Sequence, residues 1–310
     1  MTSPDEISCA AAHLKTGGLV AFPTETVYGL GADACNDAAV AQVFAAKGRP
    51  AFNPLIVHVA TAAQAFRLGA FDPDSKRLAE AFWPGPLTLV VPRAEGCPVS
   101  RLASAGLDTL ALRVPSHPMA LDLLRDFGGP VVAPSANLSG RISPTSAQHV
   151  RNTLGAATII LDGGACAVGV ESTVVRLMAD GPYLLRAGGV SRDAIEQVLG
   201  RRLVTPTRFD AEFHSPGQLA SHYAPQAALR LNAAYPEAGE IFIGFGGYAH
   251  GPHSLSRDGN IVEAAANLFR VLHEVDAVRP AGIAVAPIPS VGLGEAINDR
   301  LTRAAGPRTP

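Results

Sequence analysis

Four stretches of this sequence gather residues able to bind or move charge. Pro23-Thr24-Glu25-Thr26-Val27-Tyr28-Gly29 sets hydroxyls directly after a short apolar run. There they can hold a small polar ligand, or simply bond their own backbone. Lys47-Gly48-Arg49-Pro50-Ala51-Phe52-Asn53-Pro54 puts two cations around a glycine and next to an asparagine. Arginine offers a fork for phosphate oxygens and lysine a point charge, so the pair can clamp a phosphate. The same residues equally suit a helix end, with Lys47 at the negative pole and Gly48 as the cap. In either case their truncation should leave stability little changed, because a helix-end charge contributes only about 0.3–1 kcal/mol.

His58 interrupts the apolar run at 55–59, either as a structural residue or as a ligand to substrate. Thr109, Ala111 and Arg113 share one face by the two-residue period of a strand. Beside Pro115, Arg113 is a surface charge or an anchor for a carboxylate. The stretch from Ala133 to Pro144 packs Ser135, Asn137, Ser139 and Ser143 after a further apolar run. Such residues can line a nucleotide pocket with neutral donors, or make a plain loop. A Walker A loop, a GxGxxG after the first strand and a GxSxG elbow are all missing. Gly244-Phe245-Gly246-Gly247 is faintly nucleotide-like and reads better as a turn.

These stretches need elements to hold them. Ser3, Pro4, Asp5 and Glu6 start a helix that Gly17 closes, with Ile7, Ala10, Ala11 and Leu14 as its apolar stripe. Strands are expected at 19–22, 55–59, 87–91, 109–113, 131–133 and 158–161. Helices are expected from the Asn36 cap to 46, at 73–82 and at 117–126. Asp180-Gly181 separates strands at 172–177 and 183–186 as a hairpin, which makes the sheet mixed, and a helix over 192–199 ends the unit. That alternation predicts an α/β domain over 1–204. Residues 205–225 show neither period, are punctuated by Pro206, Pro216 and Pro225, and carry His214, His222 and Tyr223. They predict a linker that can extend up to about 70 Å and cross the first domain's face. Residues 226–310 predict a smaller Rossmann-like α/β unit, with strands at 240–245 and 282–286 and helices at 261–275 and 294–304.

Composition narrows the function classes. Apolar residues make up 47% and charged ones 17% of the 310 residues, as in a globular protein. Net charge is −2, and residues 1–205 balance 17 basic against 17 acidic groups, so no global field draws nucleic acid. Only Lys15, Lys47 and Lys76 are lysines, against 22 arginines. Cys9, Cys35, Cys97 and Cys166 lie 26, 62 and 69 residues apart, which predicts neither a disulfide framework nor a zinc site. No apolar run approaches the ~20 residues of a membrane span, and residues 2–6 lack the features of a secretory signal. The cytoplasm is the expected compartment.

In order, Pro-Thr-Glu-Thr-Val-Tyr-Gly-Leu (23–30), Lys-Gly-Arg-Pro with Asn-Pro-Leu and His (47–58), Trp-Pro-Gly-Pro-Leu-Thr (83–88), Leu-Arg-Val-Pro (112–115), Ala-Pro-Ser-Ala-Asn-Leu-Ser-Gly (133–140), Glu-Ser-Thr-Val-Val (171–175) and Leu-Arg-Ala-Gly (185–188) resemble the YrdC domain. With Ser-Pro-Gly and His-Tyr-Ala-Pro inside 215–225 and the trailing α/β unit, nearly the whole chain resembles the two-domain threonylcarbamoyl-AMP synthases. The resemblance implies a YrdC-like mixed twisted sheet with flanking helices. It also implies a reaction that joins L-threonine, bicarbonate and ATP, with Mg²⁺, into threonylcarbamoyl-AMP and pyrophosphate. A separate transferase complex then modifies the adenosine beside a tRNA anticodon, so direct tRNA contact would be weak at most. By motif, threonine would meet Thr26, His58, Arg113, the backbone of Ala133, and Ser172. ATP would meet Arg49, Asn53, Thr109, Ser135, Ser139, Ser143, Arg186 and Tyr223, with Lys47 and Arg49 as the catalytic cations. No covalent nucleophile and no protein-held metal are implied. Two rival readings are a non-enzymatic module for double-stranded RNA and the YrdC-like part of a hydrogenase-maturation protein. The balanced charge weighs against the first, and the missing cysteine arrays against the second.

Overall fold

The computed structural model describes residues 3–155, 158–206 and 222–307. In the first domain the elements run α1 (Pro4–Lys15), β1 (Val20–Phe22), β2 (Gly29–Asp33), α2 (Asp37–Lys47), β3 (Ile56–His58), α3 (Ala62–Leu68), α4 (Pro73–Phe82), β4 (Leu87–Pro92), β5 (Thr109–Arg113), α5 (Pro118–Phe127), β6 (Val131–Val132), α6 (Ala147–Leu154), β7 (Ile159–Ile160), β8 (Thr173–Met178), β9 (Gly181–Arg186) and α7 (Arg192–Leu199). Local chemistry explains several ends. Ser3 and Glu6 form a reciprocal capping box on α1, Asn36 accepts from two amides at the start of α2, and Gly48 closes α2 with φ of 56°.

Nine strands form one sheet in the order β7-β1-β2-β6-β3-β5-β4-β8-β9. It is mixed, as the Asp180-Gly181 hairpin predicted: β3–β5 and β4–β8 are parallel, while β4–β5 and β8–β9 are antiparallel. Strand β2 was not anticipated. Its sequence, Gly-Leu-Gly-Ala-Asp, has little strand propensity, yet it pairs with β1 and β6. Gly31 lets the two chains approach, since a Cβ there would lie 2.8 Å from the Phe22 ring. The short helices α3 and α6 were also missed, being barely two turns each.

The second unit contains β10 (Ala228–Arg230), β11 (Glu240–Ile243), α8 (Ile261–Ala277), β12 (Gly282–Val285) and α9 (Gly294–Ala304). Its parallel three-stranded sheet runs β10-β12-β11, and β10 is the strand that sequence reading left out. Of the expected linker, residues 207–221, His214 among them, lie outside the described residues. The two units share apolar surface. Val27, Ile142 and Val170 of the first domain belong to the cluster built around Leu268, Phe269, Leu272 and Ile283 of the second. At Gly169, with φ of 73°, a Cβ would fall 2.4 Å from the Cα of Ala266 in α8, so only glycine permits this approach. Among the described residues no helix is long and apolar enough to cross a membrane.

Candidate active site

The ends of β3, β5 and β9, the turn after β1 and the loop after β6 converge on one small cavity. It is lined by Thr26, Arg49, His58, Arg113, Ala133, Ser135, Ser172, Arg186 and Tyr223 among others, and encloses about 50 Å³. The parallel register of β3 on β5 sets His58 opposite Arg113 and so brings two separate motifs together. Strand β8 begins one residue after Ser172 and pairs with β9, which ends in Arg186, so those residues meet as well.

Each polar side chain is held by specific bonds. Arg113, only 3% exposed, donates to Glu25 Oε1 at 2.6 Å, to Thr26 Oγ1 at 3.0 Å and to the Gly85 carbonyl at 3.3 Å. Glu25 Oε2 also accepts from the Ser116 amide. Burial pushes the Glu25 carboxyl up, but Arg113 outweighs it and holds the group below its ordinary value. Thr26 Oγ1 further meets Thr24 Oγ1 at 2.8 Å. Ser172 Oγ lies 2.7 Å from Thr88 Oγ1 and accepts from Arg186 Nη2 at 3.0 Å. Arg49 donates to the Asn53 and Pro54 carbonyls, and burial pulls it down to about 10, still cationic at neutral pH.

His58 is fully enclosed. Burial and the neighbouring Arg113 charge lower it to about 3, so the ring is neutral at pH 7. Its Nδ1 is buried without a hydrogen-bond partner among the described residues, as it would be if reserved for a ligand. Three guanidiniums, Arg49, Arg113 and Arg186, thus face a cavity whose lining among the described residues includes a single carboxylate, Glu171. In a chain of net charge −2 this is a local excess of positive charge, suited to a substrate carboxylate and a polyphosphate.

The comparisons agree with that chemistry. The family described as "Telomere recombination", which groups Sua5, YciO and YrdC, matches residues 12–188, and "Threonylcarbamoyl-AMP synthase, C-terminal domain" matches residues 190–306. The threonylcarbamoyl-AMP synthase of Pyrococcus abyssi is 41% identical, covering 98% of this chain and 95% of that one. The Bacillus subtilis enzyme is 42% identical over 99% of this chain and 95% of its own. The chain belongs to the threonylcarbamoyl-AMP synthase family. The crystal structure of P. abyssi Sua5 complexed with L-threonine superposes with a TM-score of 0.89 at 38% identity, covering 98% of this chain and 95% of that one.

Not every residue that the synthase motifs nominate lies on the cavity lining. Lys47 is the last residue of α2, yet it is 2% exposed and its ammonium donates to the carbonyls of Ser135 and Asn137, each at 2.5 Å. The ammonium thus braces the loop after β6, and the expectation that its truncation would spare stability does not survive this burial. Ser139 gives its amide to the Lys47 carbonyl, Asn53 caps the Arg49 side chain through its carbonyl, and Ser143 Oγ donates to Glu171 at 2.6 Å. These three stand behind the lining. Thr109 lies at the far end of β5, paired with Pro92 and four residues from Arg113, so it is not brought to the cavity.

Sequence reasoning did not single out Glu25, Glu171 or Arg300, and it noted His222 only as part of the 205–225 segment. Both glutamates sit inside quoted synthase motifs, which was the available signal. Arg300 is fully buried on α9 and donates to Glu171 Oε2 at 2.7 Å. That contact spans 129 residues of sequence and no local pattern announces it. His222 and Tyr223 form one wall, and Tyr223 holds a left-handed φ of 64°, unusual for so bulky a residue.

Proposed function

We propose that this member of the synthase family joins L-threonine, bicarbonate and ATP into threonylcarbamoyl-AMP with release of pyrophosphate. The observation that carries the reading is the ring of three buried arginines around one cavity that also presents Thr26, His58 and Ser172. Arg113 anchors the threonine carboxylate with the N–H groups not given to Glu25, Thr26 and Gly85. Thr26, His58 and Ser172 meet the hydroxyl and the amine. A His58 whose pKa lies near 3 holds the substrate through a hydrogen bond and is a poor proton acceptor at pH 7.

The reaction forms two bonds. The threonine nitrogen attacks bicarbonate carbon to give a carbamate with loss of water. A carbamate oxygen then attacks the α-phosphorus, and the bond to the bridging oxygen breaks to release pyrophosphate. Arg49 and Arg186 offset the charge on the departing phosphates, and catalysis rests on positioning and electrostatics, with no covalent nucleophile. Magnesium travels with the nucleotide in this reading. Among the described residues no three His, Cys, Asp or Glu side chains converge, and Glu25 and Glu171 are each engaged by an arginine. The phosphate oxygens would then hold the ion, beside described residues that offer no free carboxylate cluster for it.

At about 50 Å³ the cavity falls well short of the ~300–1,000 Å³ of a small-molecule site, and in this reading the wall made by His222 and Tyr223 shifts to admit ATP. Tyr223 then packs at the nucleotide, and closure excludes water from two hydrolysable intermediates. The product would pass to a transferase acting on tRNA. The test is pyrophosphate release measured with threonine, bicarbonate and ATP omitted in turn. Release that is indifferent to threonine, or ADP as the product, sinks the proposal.

A further inference from the structure

We infer that Arg300 is the residue through which the second domain sets the nucleotide half of the cavity, a positioning residue that holds Glu171 and Tyr223. It rests on the reaction proposed above. Arg300 is absent from the cavity lining, but two of its contacts, Glu171 and Tyr223, lead there. Its Nε donates to Glu171 Oε2 at 2.7 Å, its guanidinium carbon stands 5.2 Å from the centre of the Tyr223 ring, and its Nη1 is steadied by Asp299 at 2.7 Å. The ring contact is a cation–π pair in a desolvated setting, where such pairs are strongest.

The network reaches further on both sides. The other oxygen of Glu171 accepts from Ser143 Oγ at 2.6 Å, and the next residue is Ser172, whose hydroxyl Arg186 holds. From the same helix, the Arg303 carbonyl accepts the His222 amide at 3.2 Å, and the Ala224 amide reaches Gly140 at 2.8 Å. Tyr223 is therefore pinned on each side while its own φ is left-handed, a conformation that persists only where the surroundings enforce it.

A buried ion pair is weak evidence for stability, since well-packed apolar residues often serve as well. What speaks for a functional role is the set of orphaned polar atoms gathered here. Arg300 Nη2, the Tyr223 hydroxyl and His222 Nδ1 are all buried without a partner among the described residues. Such atoms are costly unless a ligand or water takes them. Helix α9 thus lines no part of the cavity, yet decides where Tyr223 and Glu171 stand.

Two variants test this, Arg300→Gln and the double variant Arg300→Gln with Glu171→Gln. The double variant removes both members of the buried charge pair and leaves two amides that can bond each other, so it strands no unpaired charge where the single variant does. Folding of each is checked by its thermal melt. Binding of a non-hydrolysable ATP analogue and of threonine is measured separately by calorimetry. Both variants should weaken the analogue by about 10–150-fold, the equivalent of a charged hydrogen bond, and change threonine affinity less than about threefold. Equal weakening of both ligands, or an analogue affinity restored to wild type in the double variant, would overturn the positioning role. Pyrophosphate release by the wild type tests the underlying reaction alone, so failure there is told apart from failure here.

Discussion

Arg113 and Glu25 form a buried ion pair at 2.6 Å, with side chains 4% and 9% exposed. The cation that would anchor a substrate carboxylate is thus already neutralised by one of the protein's own. An incoming carboxylate shares Arg113 with Glu25 and does not meet a bare charge. The pair therefore sets how strongly the empty site pulls on anions.

Glu25→Gln should lower stability by about 3–5 kcal/mol, because it leaves Arg113 buried without its counter-charge. Threonine would then supply the missing negative charge, so the rise in melting temperature on adding threonine should exceed that of the wild type. Thermal melts with and without threonine check both signs. An equal ligand-induced rise in the two proteins would show that Arg113 is not the carboxylate anchor.

Lys47→Met should cost about 1–3 kcal/mol of stability, the penalty for taking the ammonium's bond from the Asn137 carbonyl and leaving the Ser135 carbonyl with only the Asn137 amide, together with a loss of turnover. Denaturant unfolding and steady-state kinetics measure the two effects. Unchanged stability would restore the simpler view of Lys47 as a helix-end charge.

Choice of amino acid follows from the hydroxyl partners at Thr26, His58 and Ser172. A site built around a hydroxyl excludes the analogue lacking it by about 10⁴-fold, whereas a missing methyl costs only roughly 10–200-fold. Serine should accordingly outcompete valine as the wrong substrate. Comparable turnover of the two would mean that these three residues do not surround the side chain.

Stability should fall on acidification. His58 and His222 lie near 3, and His149 and His273 near 4, all lowered chiefly by burial from an ordinary 6.5. Because the folded values are depressed, the unfolded chain binds protons first, and the stability present above pH 6.5 is lost as pH falls towards those values. Glu171, held near 2 as Arg300 and Arg186 outweigh its burial, adds a further loss below its ordinary 4.5. Each fully expressed group contributes about 1.4 kcal/mol per pH unit. Melting temperatures between pH 8 and pH 4 should be level at first and then drop, and a maximum near pH 5 would contradict this ordering.

Much of this was legible in the sequence, because most of the nominated ligands sit at strand ends that local pattern locates. Local pattern placed Thr26, His58 and Arg113 at strand ends without choosing between a structural and a functional role. Ser172 and Arg186 were nominated only by the resemblance to the synthase motifs, and the Asp180-Gly181 hairpin disclosed the mixed sheet. Pattern failed where the cause is tertiary. Strand β2 forms because Gly31 admits Phe22, not because glycine and alanine favour strands. The direction of the Lys47 ammonium is set by a loop some 90 residues away in sequence. The pairing of Glu171 with Arg300 joins two domains, so neither residue could have been read from its neighbours.

The apolar seam formed by Val27, Ile142 and Val170 against the second domain's core has a consequence for how the molecule comes apart. A chain ended after residue 206 would turn these side chains, together with Gly169's bare backbone, into a greasy scar beside the cavity. Glu171 would keep its negative charge and lose Arg300. The first domain of this chain should therefore be less stable on its own, and heat should melt both halves in a single cooperative event.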